Sequence, residues 1–261
     1  MDVLQRFRLD GKVAVVPGGG GAIGSALAKA LSSAGACVTV VDRAAEAVEE
    51  TVAVICEGGA NALSVPGDMT VEADVDRVIA VTLETYGRLD IIVNAIGGGA
   101  GKVLFDAQVY PRAEWDWIYE LNVRSTLLPT QAAVRAMIAA GRGGRVVNIS
   151  SVRGQLGINA GYSAYVAAKG AISSLTRQWA TEWAKYGITV NAISPTFVDT
   201  PQVAMLLGDP AFKEALVARI PIGRVGTPDD LFGAVLLFAS DAAAFITGQI
   251  LTIDGGLTAT Q

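Results

Sequence analysis

Seven short apolar runs, each followed by a stretch of different periodicity, organise this chain. They fall at residues 13–16, 37–41, 61–65, 91–94, 145–150, 189–194 and 249–253. Runs such as VAVV and IIV are apolar at every position, not at alternate ones, so both faces of the strand must meet other protein. Between them, segments 22–33, 71–86, 113–140, 163–185 and 229–239 carry apolar residues at helical spacing. Strands alternating with helices predict a parallel sheet covered on both faces. No repeat or linker interrupts the pattern. Residues 1–261 therefore read as one doubly wound α/β domain of about seven strands.

Charge and composition remove several functional classes. A net charge of −5 with no basic tract argues against nucleic acid or an anionic membrane as a partner. The opening MDVLQRFRLDGK lacks the apolar core of a signal peptide, and no apolar run approaches membrane-spanning length. The expectation is a soluble, cytoplasmic protein. Two cysteines, Cys37 and Cys56, are too few for a disulfide framework or a zinc site. With no histidine, His-based triads and His metal ligands are excluded.

Chemistry enters where the first strand meets the first helix. VAVVPGGGGAIGSALAKAL, residues 13–31, places four consecutive glycines at that junction. Backbone without side chains before a helix N-terminus suits a phosphate held by main-chain N–H groups. Gly19, Gly21 and Gly24 satisfy G-x-G-x-x-G, and Asp42 ends the second run 18 residues beyond Gly24. That is close to the interval of about 20 at which a carboxylate binds the adenosine ribose of a dinucleotide.

A second segment, GGRVVNISSVRGQLGINAGYSAYVAAKGAI, delivers Ser150 and Ser151 at a strand end and Tyr165 and Lys169 on the following helix. Side chains four apart share a helix face. A tyrosine ordinarily titrates near 10, and a neighbouring ammonium favours its phenolate, moving it toward acid–base work at neutral pH. Tyr162 has no lysine four residues on and reads as structural.

Taken in order, the glycine turn, Asp42, GDMT, VNAIG, LNV, ISS, YVAAK and NAISPTFVDT resemble the short-chain dehydrogenase/reductases along nearly the whole chain. The resemblance implies a catalytic set of Asn122, Ser151, Tyr165 and Lys169. Tyr165 would exchange the substrate hydroxyl proton, and Ser151 would hydrogen-bond the substrate oxygen. Lys169 would lower the tyrosine's proton affinity and hold the nicotinamide ribose, and Asn122 would anchor a water leading from the lysine to solvent. The cofactor would be held by Gly18, Gly21, Ile23, Gly24, Asp42, Arg43, Asp68, Met69, Asn94, Ala95, Gly97, Tyr165, Lys169, Val198 and Thr200. Asp68 would meet the adenine, and Val198 and Thr200 the carboxamide. The sequence departs from the family pattern at Pro17, Ala22, Ala95 and Thr196, and by one extra residue between Ser151 and Tyr165. Relatives commonly assemble as tetramers, and Trp179 and Trp183 mark the helix 163–185 as a candidate interface.

A carboxylate at Asp42 would repel a 2′-phosphate, which favours NAD over NADP. The candidate substrate walls are 97–105, the segment after Ser151, and a lid around 196–220. Ser151, Arg153, Gln155 and Tyr165 are the candidate substrate residues, and Arg153 presents a planar fork suited to an anion. Gln155, Asn159 and Gln202 favour a sugar, sugar acid or polyol, whereas Val203, Met205, Leu206 and Leu207 suit an apolar ketone or acyl chain. The alternatives are a 3-oxoacyl thioester or small-ketone reductase and, from another class, a non-catalytic nucleotide-binding protein.

Overall fold

The computed structural model describes residues 2–99 and 104–259. Its strands are β1 (Val13–Pro17), β2 (Cys37–Val41), β3 (Ala62–Ser64), β4 (Ile91–Asn94), β5 (Gly144–Ile149), β6 (Ile188–Pro195) and β7 (Ile250–Ile253). They form one seven-stranded sheet in the order β3-β2-β1-β4-β5-β6-β7. Each neighbouring pair is parallel, as the unbroken apolar runs require. Strand order reverses direction between β1 and β4, which opens a crevice at their carboxyl ends.

Helices α1 (Ala22–Ser33), α2 (Ala45–Glu57), α3 (Glu72–Tyr86), α4 (Arg112–Tyr119), α5 (Ser125–Ala140) and α6 (Ser163–Trp183) follow in chain order, then α7 (Ala204–Leu207), α8 (Pro210–Val217) and α9 (Phe232–Ala239). One core joins the sheet to α1, α2 and α9 through Leu27, Leu31, Val48, Ile55, Val235 and Phe238. The other joins it to α3, α5 and α6 through Val75, Val78, Ala133, Met137 and Trp179. Among the described residues, no helix is long and apolar enough to cross a membrane.

Several local features differ from the sequence expectation. Helix α2 was not singled out there, although its buried Val48, Thr51 and Ile55 follow helical spacing. The segment expected as one helix, 113–140, is interrupted by a π-helical turn at Glu120–Arg124. Widening that turn frees backbone carbonyls, and side chains take them up. Asn122 Nδ2 donates to the Ile118 carbonyl at 2.9 Å, Ser125 Oγ to Leu121 at 2.6 Å, and Thr126 Oγ1 to Asn122 at 2.9 Å. The helix expected to reach 185 ends at Trp183 in a 3₁₀ turn, Ala184–Tyr186, closed by Gly187 at φ +72°. The 229–239 helix begins as a 3₁₀ turn at Pro228–Leu231, capped reciprocally by Thr227 and Asp230. Trp179 and Trp183 stack at 5.2 Å in the core against the sheet, so the tryptophan pair belongs to the chain's own interior.

Candidate active site

At the crevice the chain backbones meet without side chains between them. Gly18 and Gly19 both donate their N–H to the Val41 carbonyl, at 2.8 and 2.9 Å, which folds the turn back over β2. Gly18 has φ +82°, and a Cβ there would lie 2.7 Å from the Ala95 carbonyl carbon beyond β4. A Cβ on Gly24 would overlap the Gly18 carbonyl. Helix α1 starts immediately after this turn with Gly21 as its N-cap and no side chain capping it. Its first N–H groups are therefore offered to the crevice, with the positive end of the helix dipole behind them. A dinucleotide pyrophosphate fits this cradle on geometric grounds. Ala22 stands at the first helical position without positive φ, so its methyl adds no backbone strain. Pro17 closes β1, and its carbonyl accepts the Ala95 N–H at 2.9 Å.

Asp42 lies against the same turn, since a Cβ on Gly20 would sit 3.1 Å from Asp42 Cβ. Its Oδ1 accepts the Ala44 N–H at 3.3 Å. Arg43 instead reaches toward Asp68, with NH1 3.6 Å from Oδ2. Burial alone would raise the Asp68 pKa, but bonds from the Thr70 backbone and hydroxyl, together with the Arg43 charge, bring it below the usual carboxylate range. Met69 is buried in the core, and the Asn94 amide faces inward, donating to Thr130 Oγ1 and Asn148 Oδ1.

A cavity of about 480 Å³ opens at the carboxyl ends of β1, β4, β5 and β6. Gly21, Ile23, Gly24, Ala95 and Gly97 line one side, and Ser151, Tyr165 and Lys169 the other. Val198, Thr200 and Gln202 lie on its wall in the segment after β6. Ser151 Oγ accepts the Arg153 N–H at 3.1 Å, and it acts on the neighbouring Tyr165 hydroxyl to lower its pKa. Ser150 Oγ ties β5 to α6 through the Lys169 carbonyl and Ser173. Lys169 is 3 % exposed and donates Nζ to the Ile149 carbonyl at 2.9 Å. Burial lowers its pKa to about 8. Glycine at 97 leaves space for this ammonium, since a Cβ there would lie 2.8 Å from Lys169 Nζ and 2.9 Å from Asn122 Oδ1. Asn122 holds the loop after β4 from both sides, accepting the Gly98 N–H at 3.1 Å and donating to its carbonyl at 3.0 Å.

Several groups act on the Tyr165 hydroxyl. Burial raises its pKa, against the Ser151 hydrogen bond and the Arg153 charge, which lower it. Lys169 Nζ lies 5.9 Å from the tyrosine ring centroid with its proton directed to Ile149. The Arg153 charge is a further cation that favours the phenolate. Gln155, expected in the substrate site, points elsewhere: its Nε2 donates to Ser194 Oγ at 3.3 Å, and it does not line the cavity. Tyr162, expected to be structural, does line the cavity and meets Tyr165 edge-on at 6.4 Å. Within the expected wall 97–105, residues 100–103 lie outside the described part of the chain.

A family model described as enoyl-(acyl carrier protein) reductase matches residues 20–258. The chain is 40% identical over 257 residues to 2-(S)-hydroxypropyl-CoM dehydrogenase 3 of Xanthobacter autotrophicus, covering 97% of this chain and 98% of that protein. An NAD-dependent glycerol dehydrogenase of Listeria innocua is 38% identical, covering 97% of this chain and 96% of its own length. The crystal structure of a gluconate 5-dehydrogenase from Burkholderia cenocepacia J2315, in complex with NADP and tartrate, superposes with a TM-score of 0.92 at 34% identity and covers 99% of each chain. With the parallel sheet, the glycine cradle and the Ser–Tyr–Lys grouping in one crevice, this chain belongs to the short-chain dehydrogenase/reductase family and is an oxidoreductase of CH–OH donors.

Proposed function

We propose that the chain is an NAD-dependent dehydrogenase that interconverts a secondary alcohol, or a sugar hemiacetal, and its carbonyl, acting on a sugar, sugar acid or polyol. The observation that carries this reading is that Ser151, Tyr165 and Lys169 line one cavity with the glycine turn. A nicotinamide cofactor supplies or accepts the hydride when bound. The remaining work falls to the chain. Tyr165 takes the hydroxyl proton from an alcohol, or gives it to a carbonyl. Ser151 donates to the same substrate oxygen and stabilises charge that builds on it. Lys169 and Asn122 hold the floor of the site, Lys169 within reach of the ribose. Gly18, Gly21, Ile23 and Gly24 receive the pyrophosphate, with Asp68, Met69, Asn94 and Ala95 along the cofactor path. Val198 and Thr200 meet the carboxamide, and residues 196–220 act as the lid.

The relatives include one named for NAD and one solved with NADP, so cofactor choice rests on this chain's own residues. Asp42 sits beside the turn where the adenosine ribose belongs, and a 2′-phosphate would face its charge. Arg43, the nearest candidate to receive such a phosphate, is paired with Asp68. The expected preference for NAD is tenfold or more in affinity, about 1.4 kcal/mol. Calorimetric titration with both cofactors tests it, and Asp42→Ala should narrow the gap. Equal affinity in the unaltered protein would remove the basis for an NAD enzyme. Alongside, NAD reduction against a panel of polyols, sugars and sugar acids tests the substrate class.

The proposed assembly is a homotetramer in the cytoplasm. Leu251 on the edge strand β7 is 40% exposed, and Phe245 shortly before it is fully exposed. Apolar groups at a sheet edge are the kind of surface that a second copy covers. Light scattering should return about four times the 26.9 kDa chain mass; the mass of a single chain at micromolar concentration would refute it.

A further inference from the structure

Thr51, in the middle of α2, is 3 % exposed and meets the glycine turn from behind. Its Oγ1 lies 3.1 Å from the Gly19 carbonyl, with Ser25 Oγ and the Ala47 carbonyl each at 3.0 Å. A hydroxyl carries one proton, so these acceptors compete for it. Ser25 has a proton of its own and can donate to Thr51 instead of accepting from it. The Gly19 carbonyl has no such alternative. It is buried, and among the described residues no backbone N–H reaches it. Leaving it unpaired would be costly, so the Thr51 proton belongs there.

That one bond also sets the direction of a donor. The Gly19 carbonyl and the Gly20 N–H share a trans peptide and point opposite ways. With the carbonyl held toward α2, the N–H faces away from it. Gly20 lines the catalytic cavity, and among the described residues its N–H makes no backbone bond. A peptide between two glycines turns over readily, and Pro17 at the start of the turn has neither N–H nor hydroxyl to resist this. Turned over, it would offer the cavity a carbonyl oxygen where an anion belongs.

We infer that Thr51 is a positioning residue for the cofactor: by holding the Gly19 carbonyl it keeps the Gly20 N–H available to the adenosine-side phosphate. This rests on the reading of the chain as a dinucleotide-dependent dehydrogenase. The same face of α2 carries two more contacts at helical spacing. A Cβ on Gly20 would lie 3.0 Å from Ala47 Cβ, and Ala44, the N-cap, donates its N–H to Asp42. One helix face thus supports both the turn and the carboxylate beside it.

The test uses the full chain and two probes, NAD and ADP-ribose, which share the adenosine half and the pyrophosphate. Thr51→Val keeps the shape of the side chain and removes its hydroxyl. Calorimetry should show both probes weakened about tenfold. At saturating NAD, kcat should change by less than about twofold, so that the loss falls on KM for the cofactor. Thr51→Ser should restore the affinity. A merely structural threonine would lower the Tm of the cofactor-free protein in Thr51→Val and leave both affinities intact; that result would overturn the role. Where Thr51→Val fails to fold, Thr51→Ser and Thr51→Cys carry the test, since they differ in one atom and the thiol is a weak donor. The cysteine variant should bind ADP-ribose more weakly than the serine variant, and equal binding would overturn the role. Binding of neither probe by the unaltered protein would refute the cofactor reading and this role together. Tight binding indifferent to the Thr51 hydroxyl would refute the role alone.

Discussion

Tyr165→Phe should lower kcat by about two to four orders of magnitude, the usual worth of a positioned acid–base group, while NAD affinity stays essentially unchanged. Only the hydroxyl is removed, and it belongs to a cavity-lining ring beside Ser151. Folding should be little affected, because Ser151 Oγ keeps the Arg153 N–H at 3.1 Å and the ring keeps its contacts. The companion variant Tyr162→Phe should retain activity, since no described bond joins its hydroxyl to Ser151. Steady-state assays with the best substrate of the polyol and sugar-acid panel give kcat, and calorimetry gives the cofactor affinity. Full turnover in Tyr165→Phe, or an equal loss in Tyr162→Phe, would move the proton transfer off Tyr165.

The second large effect is expected from the smallest possible substitution. In Gly24→Ala the added methyl would overlap the Gly18 carbonyl and lie 2.6 Å from the Gly18 carbonyl carbon. Neither is the free end of a flexible side chain; both are backbone, held by the bond from Gly21 N at 3.0 Å. The turn must move, and with it the face offered to the pyrophosphate. Overpacking of this kind costs about 1–3 kcal/mol, and in a chain of this size each kcal/mol lowers Tm by about 2–4 °C. Cofactor affinity should fall further than stability, because the displaced atoms form the cradle itself. Gly233→Ala is the matched control: it lies in α9 with nothing within 4 Å of the added Cβ, and helix propensity favours alanine there by up to about 1 kcal/mol. If Gly24→Ala bound NAD as tightly as the unaltered protein, the glycine turn would not be the pyrophosphate seat.

What could be read in advance follows from how local each signal is. The strands 37–41 and 91–94 recur as β2 and β4 with the same limits, because a continuous apolar run of that length has few other uses. Ser151, Tyr165 and Lys169 meet in one cavity, since a strand end and one helix face suffice to bring them together. The π turn at Glu120–Arg124 was not legible, because it depends on three side chains each finding a carbonyl in the preceding turn. Gln155 was misplaced for a similar reason: its partner Ser194 belongs to β6, and nothing in the local sequence announces that contact. The spacing of Tyr165 and Lys169 points to a charge beside the tyrosine, but not to the Ile149 carbonyl that the ammonium meets nor to the added charge of Arg153.

The buried amides behind the site have a consequence for how the sheet aligns. Asn94 and Asn148 are paired partners on β4 and β5 and point to the same face. There Asn94 donates to Thr130 of α5, and Asn148 to Thr176 of α6. The opposite face at this level is apolar, with Val93, Val147 and Ile149. Sliding β5 by one residue against β4 would carry Asn148 into that apolar layer and strand its amide, at a cost of about 1–3 kcal/mol. The same slip would rotate Ser151, three residues further on, away from Tyr165. Valines at 94 and 148 could fill the space with comparable burial, but they would let either phase of pairing look alike to the core. The two asparagines thus act less as cement than as an alignment mark. They penalise the wrong strand phase and so fix the level at which the serine meets the tyrosine.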